Sequence, residues 1–195
     1  MSLIHIEVWV WRTSLNKILN WQSYVLLALG TIMLTACSTS DVGLYAKEKP
    51  ALDLQQYFNG TVDAWGMFQN RSGEVVKRFT VAIHCSWQGD VGTLDEDFSY
   101  ADGSKQKRVW TLIKQANGQF IGTAADVVGE ALGNVSGNAL NWKYVLALPV
   151  GDKVYNVNFD DWMYLMDDRV MLNRAVMSKF GIKLGEVTLS FSKRL

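Results

Sequence analysis

Glu74-Val75-Val76-Lys77-Arg78-Phe79-Thr80-Val81-Ala82-Ile83-His84-Cys85-Ser86-Trp87-Gln88 is the stretch that decides the fold. Val75, Phe79, Val81, Ile83, Cys85 and Trp87 fall on one face of an extended chain, with only Lys77 interrupting. Arg78, Thr80, His84, Ser86 and Gln88 fall on the other. Side chains alternate across a strand, so a period of two marks a strand buried on one face. The same alternation continues over Gly92–Tyr100, Ser104–Gln115, Gln119–Val128, Asn138–Val150, Lys153–Met166, Arg169–Ser178 and Gly185–Lys193. Between these runs stand Asn70-Arg71-Ser72-Gly73, Asp102-Gly103, Asn117-Gly118, Gly151-Asp152 and Asp167-Asp168, at the close spacing of consecutive hairpins. Only two prolines interrupt the whole chain. With a first strand entering after Leu52–Phe58, itself either a helical turn or the strand's beginning, the count is eight or nine. So many long strands expose unpaired edges unless the sheet curls and closes. The expected fold is therefore all-β, an antiparallel up-and-down barrel over residues 52–195. Gly129 to Gly137, rich in glycine, reads as a longer loop at one mouth.

Upstream, Tyr24 to Ala36 is a short, mostly apolar run ending in Leu34-Thr35-Ala36-Cys37, with Arg12 and Lys17 before it. A basic region, a short apolar run and small residues before a cut describe a secretory leader. The run falls short of the roughly 20 residues that span a bilayer. Cys37, with Leu at −3 and Ala at −1, makes the segment resemble a bacterial lipoprotein signal, which implies acylation of the Cys37 thiol and removal of residues 1–36. Acyl chains anchor a protein by about 0.8 kcal/mol per buried CH₂. Ser38, where an Asp implies inner-membrane retention, points to the periplasmic face of the outer membrane. Glu7, Trp9 and Trp11 are out of character for a leader, which leaves a start near Leu15 open. Residues 38–51 read as a flexible tether.

The 159 residues after such a cut carry 17 basic and 18 acidic side chains, so no basic field exists to hold nucleic acid. His84 is then the only histidine and Cys85 the only unmodified cysteine. That argues against a His/Cys metal site, any cofactor built on one, an intrachain disulfide, and any catalytic triad not using His84.

Three-residue loops at Ala101-Asp102-Gly103 and Ala116-Asn117-Gly118 set a register in which Glu96 faces Arg108 and Arg108 faces Asp126. These three form a row on the face that also carries Leu94, Phe98, Trp110 and Leu112. Asn-Gly also suits a two-residue loop, which would turn Asp126 to the other face. Asp160-Asp161-Trp162 in one strand and Asn173-Arg174 in the next are further candidates, because Asp is depleted in strands. The nine residues (Glu96, Arg108, Trp110, Asp126, Asp160, Asp161, Trp162, Asn173, Arg174) read as a buried polar network or a polar ligand patch. Trp65, Trp87, Trp110, Trp142 and Trp162 read as core or cavity lining.

Thr93-Leu94-Asp95-Glu96 with Phe98, Arg108-Val109-Trp110, Gly122 with Ala125-Asp126-Val127, Gly137-Asn138-Ala139, Asp160-Asp161-Trp162-Met163 and Asn173-Arg174-Ala175 together resemble a bacterial family of lipoproteins, DUF3833. The resemblance implies a lipocalin-like barrel in the Gram-negative envelope and assigns no catalytic residue.

Three functions remain open. The first is an anchored barrel holding a fatty acid or other lipid, with Trp and Met lining the interior and Arg108 or Arg174 meeting a carboxylate. The second is an envelope protein that docks a protein partner through its outer face or a mouth loop. The third, the least favoured, is an enzyme using Glu96, Asp126, Asp160 or Asp161 as acid and base.

Overall fold

The computed structural model describes residues 40–194; the leader over 1–36 and Cys37 lie outside the described residues. Ten strands succeed one another: β1 Gly60–Asn70, β2 Val75–Gln88, β3 Val91–Tyr100, β4 Lys105–Lys114, β5 Phe120–Thr123, β6 Ala131–Ser136, β7 Ala139–Val150, β8 Lys153–Leu165, β9 Val170–Lys179 and β10 Ile182–Lys193. Each pairs antiparallel with its successor, and β10 returns to pair with β1, so the barrel is closed. Closure satisfies the backbone groups that two long edges would leave bare.

The alternation read in β2 sets the polarity of the wall. Val81, Ile83 and Cys85 point inward and are buried, while Arg78, Thr80, His84 and Ser86 face water. On the next strand Leu94 is buried and Thr93 and Asp97 are exposed. Charged outside and apolar inside is the reverse of a barrel that crosses a bilayer with its strands.

The structure corrects the strand count from eight or nine to ten. The additional strand, β6, lies in the stretch read as a loop, Gly129 to Gly137. Its inward position 133 is a glycine because the Trp142 ring occupies the space: a Cβ there would stand 2.3 Å from Trp142 Cε3. Gly122 on β5 backs the other edge of the same ring, also at 2.3 Å. A strand whose inward residue is missing shows no alternation. The run read as Gln119–Val128 keeps its strand only over Phe120–Thr123. Beyond it the chain leaves β4, passes the end of β6 and pairs with β7, where Val128 N–H donates to Val145 O (2.8 Å) and Ala147 N–H to Asp126 O (2.8 Å).

One end of the barrel is plugged. Asp53 caps a single helical turn, α1 (Leu54–Tyr57), accepting from Gln56 N–H at 3.0 Å. Leu54, Tyr57 and Phe58 are buried. Trp87 Nε1–H donates to Phe58 O (2.6 Å), Tyr57 Oη–H to Arg169 O (2.9 Å), and Gln55 Nε2–H to Gly89 O (3.0 Å). The helical alternative for Leu52–Phe58 is thus the one realised.

The folded body also begins earlier than expected. Residues 41–51, read as tether, hold a 3-10 turn at Val42–Tyr45, and the Tyr45 ring packs against Trp162 and Tyr164 with centroids 6.0 and 5.2 Å away. Leu52 N–H donates to Gly137 O at 2.7 Å. The tryptophans divide likewise. Trp87, Trp110 and Trp142 face inward, but Trp65 is exposed and Trp162 lies on the outer wall, so the core reading fails for those two.

Candidate functional site: the barrel interior

The ten strands enclose a cavity of about 550 Å³. Leu54 and Phe58 form its floor at the plugged end, and Lys77, Tyr100, Gln106 and Pro149 stand at the opposite, open end. Lys77, the one break in the apolar face of β2, is exposed, with its Nζ 4.1 Å above the Tyr100 ring. Between floor and mouth the lining is chiefly apolar: Phe79, Ile83, Leu94, Trp110, Leu140, Trp142, Met163, Met177 and Phe191 among others. Trp110 meets Trp142 and Tyr144 edge-on at 5.7 and 5.4 Å, and Tyr144 stacks on Phe159 at 4.9 Å.

A polar belt crosses this lining. Glu96 on β3 pairs in register with Arg108 on β4, as the three-residue loop after Tyr100 requires. Gly103 at φ 84° and Gly118 at φ 82° supply the left-handed position that such loops need. Asp126 lies past the end of β5, where the chain has left β4 for β7, and it meets Arg108 through its side chain rather than through strand pairing. Arg108 Nε–H donates to both Asp126 oxygens (3.1 and 3.0 Å) and Nη2–H to Oδ2 (2.7 Å). This fork-to-carboxylate contact closes the wall where β5 and β6 stop short. Glu96 holds a weaker place, its Oε2 3.9 Å from Arg108 Nη1 and without a hydrogen-bond partner.

A second polar group stands on β7, β8 and β9. Asp161 is buried, reached by Asn173 Nδ2 at 3.5 Å, and shares the lining with Tyr144. Asn173 also donates to Trp162 O (3.3 Å).

Burial governs the protonation of both acids. It raises Glu96 to about 7, partly opposed by the Arg108 charge. Burial likewise raises Asp161 to about 7, against the lowering effect of Asn173 and Tyr144 beside it. Asp126 has its charge matched by Arg108. The interior therefore holds one guanidinium, its paired carboxylate, and two further carboxyls that resist ionisation.

Of the nine candidates named from sequence, Glu96, Arg108, Trp110, Asp126, Asp161 and Asn173 line the interior together. Asp160, Trp162 and Arg174 do not, because they occupy the opposite parity of their strands. Asp160 accepts from Asn141 Nδ2 (2.7 Å) and faces Lys143 at 3.6 Å. Arg174 is exposed and paired with Glu186, so it is not placed to meet a ligand inside. Four polar lining groups are not among those candidates: Tyr144 inside, and Lys77, Tyr100 and Gln106 at the mouth, of which Lys77 reads from the sequence only as an interruption of the β2 face. The parity of β8, where Val157, Phe159, Met163 and Leu165 share a face, would have chosen Asp161 over Asp160. Among the described residues no cluster of three or more His, Cys, Asp or Glu is placed to hold a metal ion.

A closed antiparallel barrel of ten strands around one mostly apolar cavity is the class that the fold and site define. Within that class, residues 31–193 match the profile of DUF3833, a family of proteins of unknown function, and the chain belongs to that family. No curated protein matches the sequence.

Proposed function

We propose that this protein binds one apolar or amphipathic small molecule inside its barrel, without catalysis, and that it does so while anchored by lipid on Cys37 to the periplasmic face of the outer membrane. The cavity carries the reading. Its volume of about 550 Å³ falls within the several hundred Å³ typical of small-molecule sites, and its lining combines many apolar surfaces with few convergent polar groups. A single-chain amphipathic lipid is the expected class.

Titration of the domain from Asp41 onward with the fluorescent apolar probe N-phenyl-1-naphthylamine tests the binding. Saturable enhancement, and a bound lipid in native mass spectra of protein purified from cells, are the expected results. A linear, non-saturating response together with lipid-free spectra would remove the reading. The anchor rests on Leu34-Thr35-Ala36-Cys37. Metabolic palmitate labelling that disappears in Cys37→Ser is its test, and labelling that persists in that variant would refute it.

A second reading draws on the rim. The β1–β2, β9–β10 and β7–β8 hairpins sit on adjacent strands around the open end. They expose Val75, Val76, Val150, Val154, Ile182 and Phe180, the last 89% exposed. Such a patch suits docking to a protein partner. In-cell crosslinking from position 180 that recovers a defined protein would favour it; crosslinks to none would count against it.

A further inference from the structure

We infer that the polar end of the ligand is a hydrogen-bond donor without negative charge, such as a hydroxyl, and that it sits beside Glu96 and Asp161 in the middle of the barrel. The inference rests on the binding reading above and narrows its ligand class. Arg108, the natural partner for a carboxylate, spends its Nε–Nη2 edge on Asp126 at 2.7–3.1 Å, and its remaining Nη1 faces Glu96 Oε2 3.9 Å away. An anion at the Nε–Nη2 edge would have to displace the half-buried Asp126, and one at Nη1 would meet the Glu96 carboxyl already beside it.

The remaining groups point the same way. Glu96 lines the cavity, yet its Oε2 is buried with no hydrogen-bond partner. A buried acceptor left unmatched costs free energy that a ligand donor recovers. Asp161 adds a second carboxyl on the facing strands, reached by Asn173. Asp126 and Asp161 act on Glu96 along with Arg108, and Asp95 acts from behind on the outer face of β3. Three carboxyls against one guanidinium make the belt hostile to a carboxylate and receptive to a hydroxyl, which donates to Glu96 and accepts from its neighbours. The one cation without a carboxylate among the lining residues, Lys77, is exposed at the mouth, away from this belt.

The test compares decanol with decanoate as displacers of N-phenyl-1-naphthylamine at pH 7.5, in the wild type, Glu96→Gln and Asp161→Asn. Near-UV circular dichroism checks the folding of each variant. Any apolar cavity prefers the alcohol to some degree, so the readout is the change in the alcohol-to-carboxylate affinity ratio between proteins. Removing a nearby carboxyl charge should narrow that ratio by about threefold or more in at least one folded variant. A ratio that narrows by less in every folded variant, or a wild type that binds decanoate more tightly than decanol, overturns the inference and leaves the binding reading standing. Absence of saturable probe binding to the wild type removes both.

Discussion

Replacing Glu96 by Gln should make the protein more stable above neutral pH and change it little at pH 5. Glu96 ionises near 7 in the folded barrel, against an ordinary value of 4.5, and burial is the main cause. The folded state therefore binds more protons than the unfolded chain between those values, so this side chain's contribution to stability falls as pH rises through that window. Below about 4.5 the carboxyl is protonated in both states and the term vanishes; above about 7 it is fully felt. The interval from 4.5 to about 7 corresponds to about 3 kcal/mol of stability withheld at pH 8. Gln keeps the shape and a hydrogen-bonding end without the ionisation, so it should return most of that amount. Urea unfolding of both proteins at pH 5 and pH 8, followed by tryptophan fluorescence, measures the difference between their stabilities at each pH. The expected outcome is a difference that shifts in favour of Glu96→Gln by about 2.5 kcal/mol between the two conditions, since a little of the term is already present at pH 5. A difference independent of pH would mean that Glu96 ionises freely in the folded protein, and the account of the polar belt would fail.

Gly133→Ala should cost about 1–3 kcal/mol, because the new methyl meets the Trp142 ring at 2.3 Å, and adding Trp142→Phe should return part of it; thermal melts of the single and double variants measure both. Arg108→Leu should destabilise by about 3 kcal/mol by leaving Asp126 and Glu96 without their cation. It should also speed amide exchange at Val128 and Ala147, whose hydrogen bonds hold the 124–128 segment on β7; unchanged exchange there would show that the ion pair does not close the wall. Cys85 is buried and burial pushes its thiol up to about 12, so in a Cys37→Ser background it should react with Ellman's reagent only through unfolding, at a rate that rises with urea.

The strands were legible wherever inward residues are large. β2 reads plainly from Phe79, Val81, Ile83 and Cys85, and the Glu96–Arg108 pairing and the start of β5 follow from two local loops. In those loops Asp102 accepts from Ser104 N–H (2.9 Å) and Asn117 from Gln119 N–H (3.0 Å), which set the register one hairpin at a time. What stayed hidden depends on contacts between distant residues. β6 lost its alternation because Trp142, on the neighbouring strand, needs the room at position 133. The docking of residues 41–51 rests on Tyr45 meeting Tyr164, 119 positions later, hydroxyl to hydroxyl at 3.1 Å. Lys77 and Tyr144 sit at inward positions whose function depends on depth along the barrel, and alternation carries no depth. The split between Asp160 and Asp161, by contrast, was available from the apolar parity of β8.

Because β10 completes the ring against β1, the barrel has no closed intermediate while it is being synthesised. Val62 and Asp63 pair early with Ile83 and Ala82 on β2, but their partners across the seam, Lys193 and Arg194, come last. Until the last strand arrives, β1 and the newest strand both present bare hydrogen-bonding edges, the usual starting points for misassociation. The hairpins can form as consecutive strands emerge, but closure waits for the one long-range pairing, β10 with β1. A premature stop or a cut that removes the 12 residues of β10 would not yield a slightly smaller barrel; it would yield an open sheet with two sticky margins and an unroofed apolar face.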